Sequence, residues 1–224
     1  MRLTQLARRG LARTISAAAG ARVVDQASAL PQLEQAIFYA NHSSHLDFLT
    51  IWAALPEHLQ QRVRPIAAKD YWGSGLRRSV AERIFNAYLV ERHGSSAART
   101  RGSDAGVSPK GQITGMTQVL DAGDSLIIFP EGTRGDGETI AEFHSGLYRL
   151  ACHNRQIPVI PVALANLGRI LPKGEIVPVP HLSTVVFAPA MHVGAEEDKD
   201  SFLTRAREQL ISMLAQQDQQ QGEQ

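Results

Sequence analysis

With 224 residues, 43% of them apolar, the chain can bury a core of its own, as one compact domain carrying at most a short appendage. A formal charge of +1 provides no global field, so nucleic acid is not an expected partner and any electrostatic attraction must be local. The single cysteine, Cys152, excludes an internal disulfide framework and a multi-cysteine zinc site, and no run approaches the roughly 18 apolar residues of a spanning helix.

The first segment carries Arg2, Arg8, Arg9, Arg13 and Arg22 before its first acid, Asp25. Leu3, Ala7, Leu11, Ile15 and Ala18 share one helical face, with most of the arginines on the other. Such a basic amphipathic helix can rest in an anionic lipid interface or pack on its own domain, and the pattern suits both. Arginines interrupt every stretch that could form the apolar centre of a secretory signal, whereas an organellar transit peptide fits the composition. Strand-like and helix-like segments then alternate. Strands are expected at 35–40, 64–68, 87–91, 125–130, 157–164 and 183–188. Helices are expected at 44–55, 76–85, 112–121, 145–154 and 200–216. Alternation at this spacing argues for an α/β fold, a mostly parallel central sheet covered by helices. Pro158 and Pro161 suggest an edge or a bulge in their strand, because proline cannot donate to the ladder. Residues 93–110 form a polar loop of the length typical of lids or disordered segments. The expected organisation is a basic helix over 1–24, a folded domain over 25–216 and a disordered glutamine-rich tail over 217–224.

The stretch Asn41-His-Ser-Ser-His-Leu-Asp-Phe48 follows a strand and opens a helix. In a regular helix His42 and Asp47 would stand about 140° apart and could not meet. They meet if His42 lies in the turn and Asp47 in the first helical turn, with Ser43 and Ser44 as suitable caps. Asp47 could then hold one imidazole nitrogen and leave the other free to accept a proton, the arrangement of a general base. Alone, a histidine and aspartate at this spacing are more often a satisfied structural pair. A second stretch, Phe129-Pro-Glu-Gly-Thr-Arg134, leaves a buried strand through a glycine turn. Gly132 permits close backbone approach to a ligand, and Arg134 offers a planar fork suited to phosphate. Glu131 repels phosphate and more plausibly pairs with a base or braces the turn.

In this order the two stretches resemble the glycerolipid acyltransferase family, which includes the lysophosphatidic acid acyltransferases. The resemblance rests on Asn41, His42 and Asp47, then Tyr88-Leu-Val-Glu-Arg92, then Phe129–Arg134, then the proline-containing strand Ile157–Val162. Asn86 stands where the family commonly has glycine, Gly135 where serine is common, and His144 where the Phe-Lys-x-Gly pattern has lysine. The apolar helices often found ahead of this domain have only the short basic segment in their place.

The resemblance implies a glycerol-3-phosphate acyltransferase-like fold and transfer of a fatty acyl group from acyl-CoA or acyl-carrier protein to a lysophospholipid hydroxyl. The acceptor it suggests is 1-acylglycerol-3-phosphate, giving phosphatidic acid. It casts His42 as base and Asp47 as its partner, and puts Glu131, Gly132, Thr133 and Arg134 on the substrate side with Arg92 and, more weakly, Lys69. It implies no metal and no cofactor beyond the thioester donor, and a peripheral place on the cytoplasmic face of a membrane. His42 would take the acceptor proton as the oxygen attacks the thioester directly, consistent with the absence of a Gly-x-Ser-x-Gly elbow. Oxyanion donors are expected near Gly132 or at the helix start beside His42. Cys152 is expected in the core, and the tryptophans with Tyr71 either in the core or along an acyl chain. The competing readings are a non-catalytic lipid-binding or tethering protein on the same scaffold, acylation of another lysolipid, and a thioesterase.

Overall fold

The computed structural model describes residues 10–17, 20–26, 28, 30–44, 46–68, 88–90, 109–137, 139–167 and 183–222. Seven strands are described: β1 (Ala21–Asp25), β2 (Ile37–Ala40), β3 (Val63–Ala68), β4 (Tyr88–Val90), β5 (Ser125–Ile128), β6 (Val159–Ala165) and β7 (Ser183–Phe187). The helices are α1 (Asp47–Ala54), α2 (Glu57–Arg62), α3 (Pro109–Asp121), α4 (Gly146–His153) and α5 (Lys199–Gly222). The strands form one sheet in the order β1-β7-β6-β2-β5-β3-β4, and every neighbouring pair is parallel except β6 with β7. The expected α/β fold with a mostly parallel, helix-covered sheet is therefore the observed one. The helix expected at 76–85 and residues 93–108 of the polar loop expected at 93–110 lie outside the described residues, while Pro109 and Lys110 open α3 instead of ending a loop.

Side chains alternate between the two faces of the sheet, as a pleated strand requires. Ile37 and Tyr39 of β2 and Leu126 and Ile128 of β5 enter one apolar cluster with Leu120, Leu147, Leu150, Phe202 and Leu210, from α3, α4 and α5. Phe38 and Ile127 enter the other with Ile51, Trp52 and Leu59, from α1 and α2. Both faces of β2 and β5 are thus covered, which is why these strands read as unbroken apolar runs. Trp52 is fully buried and donates its indole N–H to the Gln60 carbonyl at 3.1 Å, so its role is packing.

Several expectations change. β6 is interior, lying between β7 and β2, rather than at an edge. Pro158 precedes the strand, and its carbonyl accepts the Ile37 N–H at 2.9 Å. The Pro161 carbonyl accepts from Ala188, just past the end of β7, at 3.1 Å. Its nitrogen faces the same side, so the missing donor falls where that ladder is already ending, and β6 keeps its place in the middle. The sheet starts at Ala21, inside the segment expected to be purely helical, because β1 pairs with β7 from Ala21 to Asp25. Residues 10–17 are helical, with Ala12 buried and Leu11 and Ile15 packed on the α1 side of the core. This part of the first segment packs on its own domain. At the other end, α5 continues to Gly222 with Gln217 buried, so residues 217–222 are not the disordered tail expected. Glutamine is a good helix former, and a helix already docked on the sheet extends at little cost.

Candidate active site

β2 and β5 are adjacent and parallel, and their carboxyl ends deliver the two informative stretches to the same edge of the sheet. From β2 the chain turns to α1 on one face, while from β5 it passes to α4 on the other. Where neighbouring strands send their connections to opposite faces, a crevice opens between them, and open α/β sheets bind ligands there.

In that crevice the His42 Nδ1 lies 2.7 Å from Asp47 Oδ2. An ionised carboxylate can only accept, so Nδ1 carries the proton and Nε2 presents a lone pair. The same Oδ2 accepts the Ser43 N–H at 2.7 Å and the Ser44 N–H at 2.9 Å. Asp47 is fully buried while His42 remains 19% exposed. The negative charge is held by three donors and by the amino end of α1, where the helix dipole favours an anion. This differs from the expected capping: Leu46 occupies the N-cap without a side-chain bond, and Asp47 itself reaches back to close the turn. Ser44 contributes its hydroxyl only to the Leu46 N–H, at 3.3 Å.

Glu131 is buried, and both its oxygens are occupied by backbone. Oε1 accepts the His42 N–H at 2.8 Å, and Oε2 accepts the Ala141 N–H at 3.0 Å. The Gly135 N–H adds a bond to the His42 carbonyl at 2.8 Å. Glu131 therefore braces the turn, one of the two roles expected of it. Gly132 also differs from expectation. Its N–H closes a turn on the Phe129 carbonyl at 3.0 Å, so it is not available as an oxyanion donor. Its φ of +71° suits glycine, and a Cβ there would lie 2.8 Å from the His144 ring. The N–H groups at the helix start are equally committed, since those of His42, Ser43 and Ser44 all bond carboxylates. Thr133 is exposed and Arg134 half-buried. Among the described residues the Arg134 guanidinium makes no ion pair.

Lys69, Arg92, His45 and Tyr71 lie outside the described residues. Cys152 is a free, half-buried cysteine on α4 rather than a fully buried one. Sequence reasoning assigned no task to Asn41 or Phe129, and the structure gives each one. Asn41 bonds both backbone groups of Leu164, accepting at 2.8 Å and donating at 3.0 Å, which ties the end of β2 to β6. Phe129 stacks on the His42 ring, with centroids 4.2 Å apart and planes at 19°. Both were visible as members of the quoted stretches. Ile140 and Leu214, which line the small cavity beside His42 with Ser43 and Thr139, gave no such signal.

A family model described as Acyltransferase matches residues 21–165, well over half of the chain. The chain belongs to the acyltransferase family. As acyltransferase relatives, mouse (Mus musculus) 1-acyl-sn-glycerol-3-phosphate acyltransferase alpha is 30% identical over 148 residues, 65% of this chain and 45% of that protein. The human (Homo sapiens) beta form is 24% identical over 153 residues, 62% of this chain and 44% of that protein. The chain thus spans less than half the length of these relatives. The crystal structure of the 1-acyl-sn-glycerophosphate (LPA) acyltransferase PlsC from Thermotoga maritima superposes with a TM-score of 0.72 at 16% identity, covering 96% of this chain and 79% of that one. At that identity the likeness establishes a shared acyltransferase fold. Among the described residues, no helix of this acyltransferase is long and apolar enough to cross a membrane.

Proposed function

We propose that this protein transfers a fatty acyl group from acyl-CoA or acyl-carrier protein to the hydroxyl of a lysophospholipid, with 1-acylglycerol-3-phosphate as the favoured acceptor and phosphatidic acid as the product. The observation that carries this reading is the state of His42. Its Nδ1 is locked by a buried carboxylate, while Nε2 has no partner among the described residues. That is the arrangement of a general base, and its family membership and the relatives' names indicate acyl transfer as the reaction.

In this mechanism Nε2 takes the proton of the acceptor hydroxyl as its oxygen attacks the thioester carbonyl. A tetrahedral adduct forms and collapses, the C–S bond breaks, and the thiolate leaves with the proton returned by His42. Asp47 stabilises the transient imidazolium and prevents the ring from turning. The Thr133 and Arg134 N–H groups, which have no backbone partner among the described residues, are the donors assigned to the developing oxyanion. The Arg134 guanidinium, which makes no ion pair among the described residues, suits the acceptor phosphate, with Arg92 and Lys69 as further cations. The thioester is a co-substrate, and no cofactor is called for. Since the acceptor is a bilayer lipid, the enzyme would work peripherally at a membrane surface, on the cytoplasmic side where thioester donors are made.

Purified protein incubated with radiolabelled acyl-CoA and a panel of lysolipids tests the reading through product mobility. Label is expected in phosphatidic acid, at a rate that depends on added lysophosphatidate. Release of free fatty acid independent of any acceptor would overturn it in favour of a thioesterase, and vesicle binding without turnover would favour a lipid-binding protein.

A further inference from the structure

The cation Arg207 lies on α5, beyond the matched family segment, and forms no ion pair among the described residues. Its Nε instead donates to the Ile140 carbonyl at 2.9 Å and to the Ala141 carbonyl at 3.1 Å, and its Nη2 also donates to Ile140. The bonds continue inward from there. The Ala141 N–H holds Glu131 Oε2 at 3.0 Å, and Glu131 Oε1 holds the His42 N–H at 2.8 Å. Ile140 also lines the cavity beside His42, together with Leu214 of the same helix. A planar fork that bonds two successive carbonyls fixes the orientation of that peptide, which a point charge on a flexible stem does less well.

We infer that Arg207 is a positioning residue for His42, acting through the Ile140–Ala141 peptide and Glu131. From the docked helix α5, Arg207 thereby sets the geometry of the base without itself touching substrate. Glu131 can hold the His42 backbone only where the 140–141 segment lets it, and Arg207 fixes that segment from outside. The buried Tyr39 hydroxyl, which donates to the Ala206 carbonyl at 3.1 Å, keeps α5 itself in register with β2. The inference rests on His42 being the base proposed above.

The test uses the full chain and the acyl-transfer assay, with variants Arg207→Ala, Arg207→Lys, Glu131→Gln and the double variant Arg207→Ala/Glu131→Gln. Arg205→Ala serves as control, because it removes a guanidinium from the same helix whose partners are Glu197 and the His192 carbonyl. Arg207→Ala is expected to lower kcat about tenfold while leaving KM for donor and acceptor within about twofold, the pattern of a displaced catalytic group. Arg207→Lys should recover part of the loss, and Arg205→Ala should keep wild-type kcat. The double variant should be no slower than Glu131→Gln alone, since both changes break one chain of contacts. Unchanged kcat in Arg207→Ala, losses that multiply in the double variant, or an effect confined to acceptor KM would each overturn the inference. If Arg207→Ala proves unstable, the same kcat and KM comparison in the folded Arg207→Lys variant decides, with unchanged kcat counting against it. Wild-type turnover by His42→Ala would instead overturn the functional reading itself, so the two failures are distinguishable.

Discussion

Asp47 accepts three hydrogen bonds on one carboxylate oxygen, from His42 Nδ1 and from the Ser43 and Ser44 N–H groups, while its Oδ1 has no hydrogen-bond partner among the described residues. A buried oxygen left in that state is costly, and sites that keep such a cost usually do so for function. What it secures here is a fixed tautomer. Asp47→Asn keeps the size of the side chain but can turn its amide N–H₂ toward the ring, which would put the imidazole lone pair on Nδ1 and the proton on Nε2. We expect kcat to fall by about 10²–10⁴-fold, with donor and acceptor KM changed little. Steady-state kinetics on a variant with native circular dichroism checks this, and near-normal kcat would mean that the tautomer is not what Asp47 controls. This pair was legible in the sequence because spacing and helix onset together left one way for the two side chains to meet. Glu131 was legible only as one of two alternatives, and its backbone partners decide for the brace. Arg207 was not legible, because nothing local distinguishes an arginine bonded to distant carbonyls from one on a solvated helix face.

At the scale of elements, the site depends on how strand ends are pinned. Asn41 completes the β2–β6 pairing with its side chain, bonding both backbone groups of Leu164 in a buried position. Asn41→Ala would leave that N–H and C=O without these bonds, at a cost of about 2–4 kcal/mol. For a chain of this size that corresponds to a fall of roughly 5–15 °C in Tm, measurable by calorimetry. A Tm within a degree of the wild type would show that the tether is dispensable. The strands beside it were legible as short apolar runs bounded by polar residues. Their order was not, since pairing between distant segments leaves no local trace. The prolines of β6 misled for a related reason: whether a missing donor matters depends on the neighbour it faces, and Pro161 faces the end of β7. Helix α2, one and a half turns after Pro56, was missed because so short a segment shows no full period.

Across the whole molecule, the sheet separates two apolar layers, and the connections from β2 and β5 leave for opposite layers. The crevice follows from that divergence, and with it the meeting of two stretches far apart in sequence. Helix α5 closes one side of the crevice through Leu214 and reaches the 140–141 segment through Arg207, so the base sits in a frame built from both ends of the chain. The family resemblance made the identity of the site legible, whereas the frame around it became visible only in three dimensions. Whether His42 is the base of an acyl transfer is decided by initial rates of acyl-CoA-dependent lysophosphatidate acylation by wild-type and His42→Ala protein, both verified as folded. The variant is expected to retain its fold and lose at least about 10²-fold in kcat. Wild-type turnover by the folded variant would contradict that role.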